Sequence, residues 1–117
     1  MSLLVQKLSL WEILVPTLMN DRPIKTRFHR VWDKKVIELT KGMTILHPVN
    51  GRWISPEGTL FAERMIPVRI MCTDEQMAKI VDFTAKYYKQ QAIFYYRVSS
   101  EVIIKHFDQH DRPKKVS

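Results

Sequence analysis

The chain has 117 residues, a mass of 13.9 kDa and a formal charge of +7, from 19 Lys and Arg against 12 Asp and Glu. A hydrophobic fraction of 45% with only 3 glycines excludes a disordered chain and predicts one globular domain, over residues 1–107. No stretch approaches the roughly 18 consecutive apolar residues of a membrane-spanning helix, and the positive charge admits an anionic partner.

The opening run, MSLLVQKLSLWEILVP, is interrupted by Gln6, Lys7, Ser9 and Glu12 and has no small-residue cleavage site. It is expected to be a strand over residues 8–15 rather than a signal peptide, in a cytoplasmic protein, with Pro16 closing it. Leu8, Leu10 and Leu14 alternate with Trp11, Ile13 and Val15, a pattern that suits a strand covered on both faces. A polar connection follows, with Asn20-Asp21-Arg22-Pro23 as its turn signal. From Arg27 the period becomes helical, through Phe28, Val31, Trp32, Val36 and Leu39, and Gly42 is the expected stop.

Residues 43–46 predict a short second strand. Asn50-Gly51 is read as a hairpin turn and Pro56-Glu57-Gly58 as a second turn. A third strand is expected over residues 59–72, where Pro67 signals an edge or a bulge. Thr73-Asp74-Glu75-Gln76 is a capping box, opening a helix that buries Met77, Ile80, Val81, Thr84 and Tyr88. Residues 92–98 and 101–107 predict one bent strand or two short ones, and residues 108–117 a polar, flexible tail.

A βαββαβ order predicts an α+β, ferredoxin-like sandwich: an antiparallel sheet with both helices on one face and a long hairpin between the second and third strands. The other face is left bare. Leu8, Trp11, Met65, Phe94 and Tyr96 are assigned to it, which predicts self-association as a dimer or trimer.

In this layout ILHPVNGRWISPEGTLFAERMIPVRI occupies the place of a long inter-strand loop, and the chain resembles the superfamily of nitrogen-regulatory PII and copper-tolerance CutA proteins. The resemblance implies a trimeric, ferredoxin-like regulatory or binding module. It does not imply ATP binding, because KQQAIFYYRV after the second helix lacks a Gly-x-Gly run, and it assigns no residue a role. The dimeric ferredoxin-like barrel group, which includes small enzymes, resembles the chain in the same way and stays open beside it.

Several side chains are candidates for chemistry. Between Arg22 and Lys35 there are six Lys or Arg against Asp33 alone, with Phe28 and Trp32 interleaved. Arg22, Lys25, Arg27 and Arg30 are the candidate ligands of an anionic small molecule, or of nucleic acid as the alternative partner. Arg52, Trp53 and Arg64 are the ligand candidates on the long hairpin. His47 and Glu63, expected across the ladder from one another, are the catalytic candidates for the enzyme alternative. No metal site or cofactor is expected: His29, His47, His106 and His110 lack zinc spacing, and the tail group of His106, Asp108, His110 and Asp111 is read as solvated. Cys72 is read as a buried structural thiol, and in each of the doublets Tyr87-Tyr88 and Tyr95-Tyr96 one ring is assigned to the core and the other to an interface or the surface.

Overall fold

A computed structural model describes residues 7–108. The main sheet is formed by Ser9–Pro16 (β1), Thr44–Ile45 (β4), Leu60–Cys72 (β6) and Tyr95–Ser99 (β7), in the order β4-β6-β1-β7. A further strand, Val49–Ile54 (β5), pairs with the first half of β6. All these pairings are antiparallel. The helices Thr26–Thr40 (α1) and Asp74–Tyr87 (α2) cover one face, giving the expected ferredoxin-like sandwich. Neither helix is long and apolar enough to cross a membrane.

The alternation of β1 and β6 decides what is buried. Ile13, Val15, Val68, Ile70 and Cys72 form the core with Trp32, Val36, Met77, Ile80 and Tyr88 from the helical layer. Cys72 is a buried free thiol, and burial pushes its pKa up to about 11, so it is not a reactive thiolate at neutral pH. The opposite face carries Leu10, Glu12 and Leu14 from β1 and Met65, Pro67, Arg69 and Met71 from β6, with Phe94 and Tyr96 beside them. Trp11 is not among them. It shares the parity of Ile13, packs against the core and lies beneath the Arg97 guanidinium at 4.4 Å. On α1, Val31 is exposed rather than core.

Several local expectations are corrected. Asn50-Gly51 is not a turn but the middle of β5, where Asn50 pairs with Arg64 and Gly51 with Glu63. The chain reverses at residues 55–58, where Ser55 and Thr59 exchange hydrogen bonds and Gly58 takes φ +86°. The residue that ends α1 in the left-handed region is Lys41 (φ +71°), its N–H closing on the Ile37 carbonyl, one place before Gly42. Residues 101–107 form no strand. Residues 109–117, with His110 and Asp111, lie outside the described residues.

Pro67 sits in an interior strand, not at an edge, and opposite a bulge. Its partner Leu14 directs its N–H away, to the Phe94 carbonyl, while the Pro67 carbonyl accepts from the Leu46 N–H. Between the Ile45–Val68 and Val49–Met65 pairs, three residues (46–48) face two (66–67). The missing proline N–H therefore points at a place where the ladder is already interrupted.

Candidate functional site

A miniature hairpin precedes α1: Leu18–Met19 (β2) and Arg22–Pro23 (β3), joined by Asn20 (φ +52°) and Asp21 (φ +60°). Two successive positive φ values are the signature of a type I′ turn, which Asn and Asp tolerate best after glycine. This hairpin, the first turns of α1 and the end of α2 enclose an open depression of about 850 Å³. Its apolar wall is Met19, Pro23, Ile24, Phe28, Val31 and Tyr87, and Arg22, Lys25 and Arg27 are its cations.

The aromatic part of that wall is fixed. Phe28 and Tyr87 stack at 4.2 Å between centroids, and the Tyr87 hydroxyl donates to the Phe28 carbonyl at 2.8 Å. Phe83 also stacks against Tyr87, at 5.3 Å between centroids. Burial raises the pKa of the Tyr87 phenol, so it stays a donor at neutral pH. Directly behind, the Tyr88 hydroxyl lies 2.6 Å from His29 Nδ1. Burial, reinforced by Asp33 and Tyr87, pushes the Tyr88 pKa well up, so this hydroxyl donates and His29 Nδ1 accepts. Burial also lowers the His29 pKa, against the pull of Asp33.

The sequence candidates are thus divided. Arg22, Lys25 and Arg27 line the depression, whereas Arg30 is exposed elsewhere on α1. Arg52, Trp53 and Arg64 lie on the β5–β6 arm, with Arg52 and Arg64 on one face and Trp53 on the other, stacked on its cross-strand partner Phe61 at 4.5 Å. His47 and Glu63 are not cross-strand partners: Glu63 faces Gly51, and His47 falls in the bulge opposite residues 66–67. Thr17 Oγ1 donates to the Arg64 carbonyl at 2.6 Å, tying the loop after β1 to the base of the arm.

A second polar group was not signalled by the sequence. On the open sheet face Glu12 is almost fully buried, accepting from Arg69 Nε at 2.9 Å and from the Tyr96 hydroxyl. Glu12 faces Arg69 in the β1–β6 register and Tyr96 in the β1–β7 register, so only the strand pairing reveals the cluster. Among the described residues no three His, Cys, Asp or Glu side chains are grouped so as to hold a metal ion.

No protein-family model matches the sequence, and no curated protein matches it by sequence. Solved structures match it in fold. CutA from Archaeoglobus fulgidus, described as a periplasmic divalent cation tolerance protein, aligns with a TM-score of 0.63 at 15% identity, over 84% of this chain and 88% of that one. The divalent cation tolerance protein from Thermus thermophilus aligns at 0.59 and 12% identity, over 86% and 87%. A phage SAM lyase in complex with S-methyl-5'-thioadenosine aligns at 0.58 and 16%, over 86% and 87%. The shared property is the CutA-like, ferredoxin-like fold.

Proposed function

We propose that the protein is a homo-oligomeric binding or regulatory module, its copies joined through the open sheet face and the β5–β6 arm. The observation that carries this is the arm itself. Every residue of β5 except Gly51 is exposed, as are residues 60–64 of β6 opposite. The stacked rings Trp53 and Phe61 remain 46% and 38% exposed, and Ile54 and Leu60 more so. A two-stranded ribbon without a core behind it is marginal in water.

The surface is also continuous. Along β6, Phe61, Glu63, Met65, Pro67, Arg69 and Met71 share one parity, so the Trp53–Phe61 stack extends the face that the helices leave open. That face adds the exposed rings of Phe94 and Tyr96 beside the half-buried Leu10 and Leu14, an apolar strip of the kind that association covers. Covering what remains exposed of each ring is worth about 1–2 kcal/mol, a contribution that favours association. The fold shared with CutA proteins supplies the frame for such an assembly. A reducing compartment such as the cytoplasm suits a chain whose single cysteine is a buried thiol.

Native mass spectrometry of the full-length protein tests this. The expected result is one closed dimer or trimer, with the double variant Trp53→Ser, Phe61→Ser shifted towards monomer while keeping its circular dichroism. A wild-type chain that stays monomeric at high concentration overturns it.

A further inference from the structure

We propose that the depression between the miniature hairpin and the helix ends is a binding site for a small phosphomonoester carried on a planar, apolar body. Three cations from the miniature hairpin and the start of α1 converge there. Arg22 comes from β3, Lys25 from the N-cap position of α1 and Arg27 from its first turn, and all three are exposed. Among the described residues none of them has a carboxylate within ion-pair distance, the ion pairs present being Arg69–Glu12 and Arg97–Asp74. The first turn of α1 holds no acidic residue and no side chain caps it, so the helix itself does not offset this positive end.

The rest of the lining is apolar, and its aromatic part is pinned. Phe28 and Tyr87 are locked against each other by stacking and by the Tyr87-to-Phe28 carbonyl hydrogen bond, with Met19, Ile24 and Val31 around them. A cluster of cations alone would attract any anion along the surface. Concavity and a fixed aromatic wall select an anion that brings a flat hydrophobic part, because only such a ligand uses both walls. A dianionic head suits three uncompensated cations better than a carboxylate does, and arginine binds phosphate oxygens bidentately. An extended single-stranded nucleic acid would instead need a groove running past the pocket.

The test is isothermal titration calorimetry on the full-length protein with phenyl phosphate, inorganic phosphate, phenol and a short oligothymidylate. Phenyl phosphate is expected to bind about tenfold more tightly than inorganic phosphate or phenol, the gain expected when both walls contribute. Arg22→Gln and Arg27→Gln are each expected to weaken it about fivefold, the loss of one exposed charge-assisted contact. Lys79→Gln, an exposed position on α2 outside the lining of the depression, removes the same charge and is expected to change nothing. Equal affinities for phenyl phosphate and inorganic phosphate, an equal loss in Lys79→Gln, or tighter and steeply salt-dependent binding of the oligothymidylate would each overturn the proposal. Because Arg22 and Arg27 are exposed, their variants keep the fold, and unchanged circular dichroism checks it.

Discussion

Glu12 and Arg69 face each other across the β1–β6 ladder, 2.9 Å apart, on the side of the sheet that no helix covers. Glu12 is 5% exposed and accepts from the Tyr96 hydroxyl as well, so both its oxygens are occupied. A carboxylate this buried persists because its donors replace water, whereas its partners Arg69 and Tyr96 are each 42% exposed and can turn to solvent when it is removed. Glu12→Ala is therefore expected to destabilise the protein by about 1–2 kcal/mol, and Tyr96→Phe by about 1 kcal/mol. Urea unfolding of the variants and their double mutant measures both and the coupling between them. The Glu12 hydrogen bond, then burial and the Glu12 charge, raise the Tyr96 pKa above the ordinary 10.0, against a smaller pull from Arg69. Its contribution is complete below pH 10.0 and is lost as pH rises through the folded value, so Tyr96→Phe should remove part of the alkaline fall in stability.

The contact between Tyr88 and His29 carries a pH dependence of the opposite sense. Burial lowers the His29 pKa below 6.5, so the unfolded chain takes up this proton more readily than the folded one. Stability from this group is complete above pH 6.5 and falls as pH drops towards the folded value. Asp33 works against it, because burial raises its pKa from 3.8, and that carboxyl favours the fold as it becomes protonated. Thermal melts across mildly acidic pH should show a falling midpoint in wild type and a flatter profile in His29→Gln. An unchanged slope in His29→Gln would assign the acid sensitivity elsewhere.

Much of this architecture was legible. The capping box at Thr73, the helical period through Trp32 and Val36, and the double-sided apolar pattern of β1 each reflect interactions within a few residues. The misread places depend on partners distant in sequence. Asn50-Gly51 carries a strong local turn signal, yet pairing with Arg64 and Glu63 overrides it. Trp11 alternates with Leu10, but which set meets the helices is settled only by the register with Ile70 and Arg97. The cations at Arg22, Lys25 and Arg27 were visible as a segment, whereas Tyr87, 60 positions beyond Arg27, joins them only through the packing of α2 on α1. Charge is written locally, and a cavity is not.

Gly51 gives a case where two physical effects can be ranked. A Cβ added there would meet the Met65 methyl carbon at 2.6 Å, too close to stand. That atom is the free end of a flexible, half-buried side chain, and Gly51 has no positive φ to lose. Met65 can swing aside, while alanine restricts the unfolded chain. Gly51→Ala is expected to shift stability by no more than about 1 kcal/mol. Gly58→Ala, in the left-handed region, should cost about 1 kcal/mol with open space around it, through backbone strain alone. Paired thermal melts of the two variants separate contact from conformation.

Gln76 joins the two helices as well as capping one. Its Oε1 accepts from the Thr73 N–H at 2.9 Å, completing the capping box, while its Nε2 donates to the Leu39 carbonyl at 2.8 Å in the last turn of α1. The same amide thus satisfies one orphan donor at the start of α2 and one orphan acceptor at the end of α1. Gln76→Glu keeps the first interaction and replaces the second with repulsion between a carboxylate and a carbonyl; Thr73→Ala removes the cap hydroxyl and leaves the link to Leu39. Thr73→Ala is expected to cost about 1 kcal/mol, the usual worth of an N-cap side chain. Gln76→Ala should cost about 2 kcal/mol, because it loses a hydrogen bond at each end. Amide hydrogen exchange distinguishes the two: Thr73→Ala should raise exchange in the first turn of α2 only, and Gln76→Ala in the last turn of α1 as well. Were α1 equally protected in both variants, the interhelical bond would contribute nothing, and the two helices would be held together by their core residues alone.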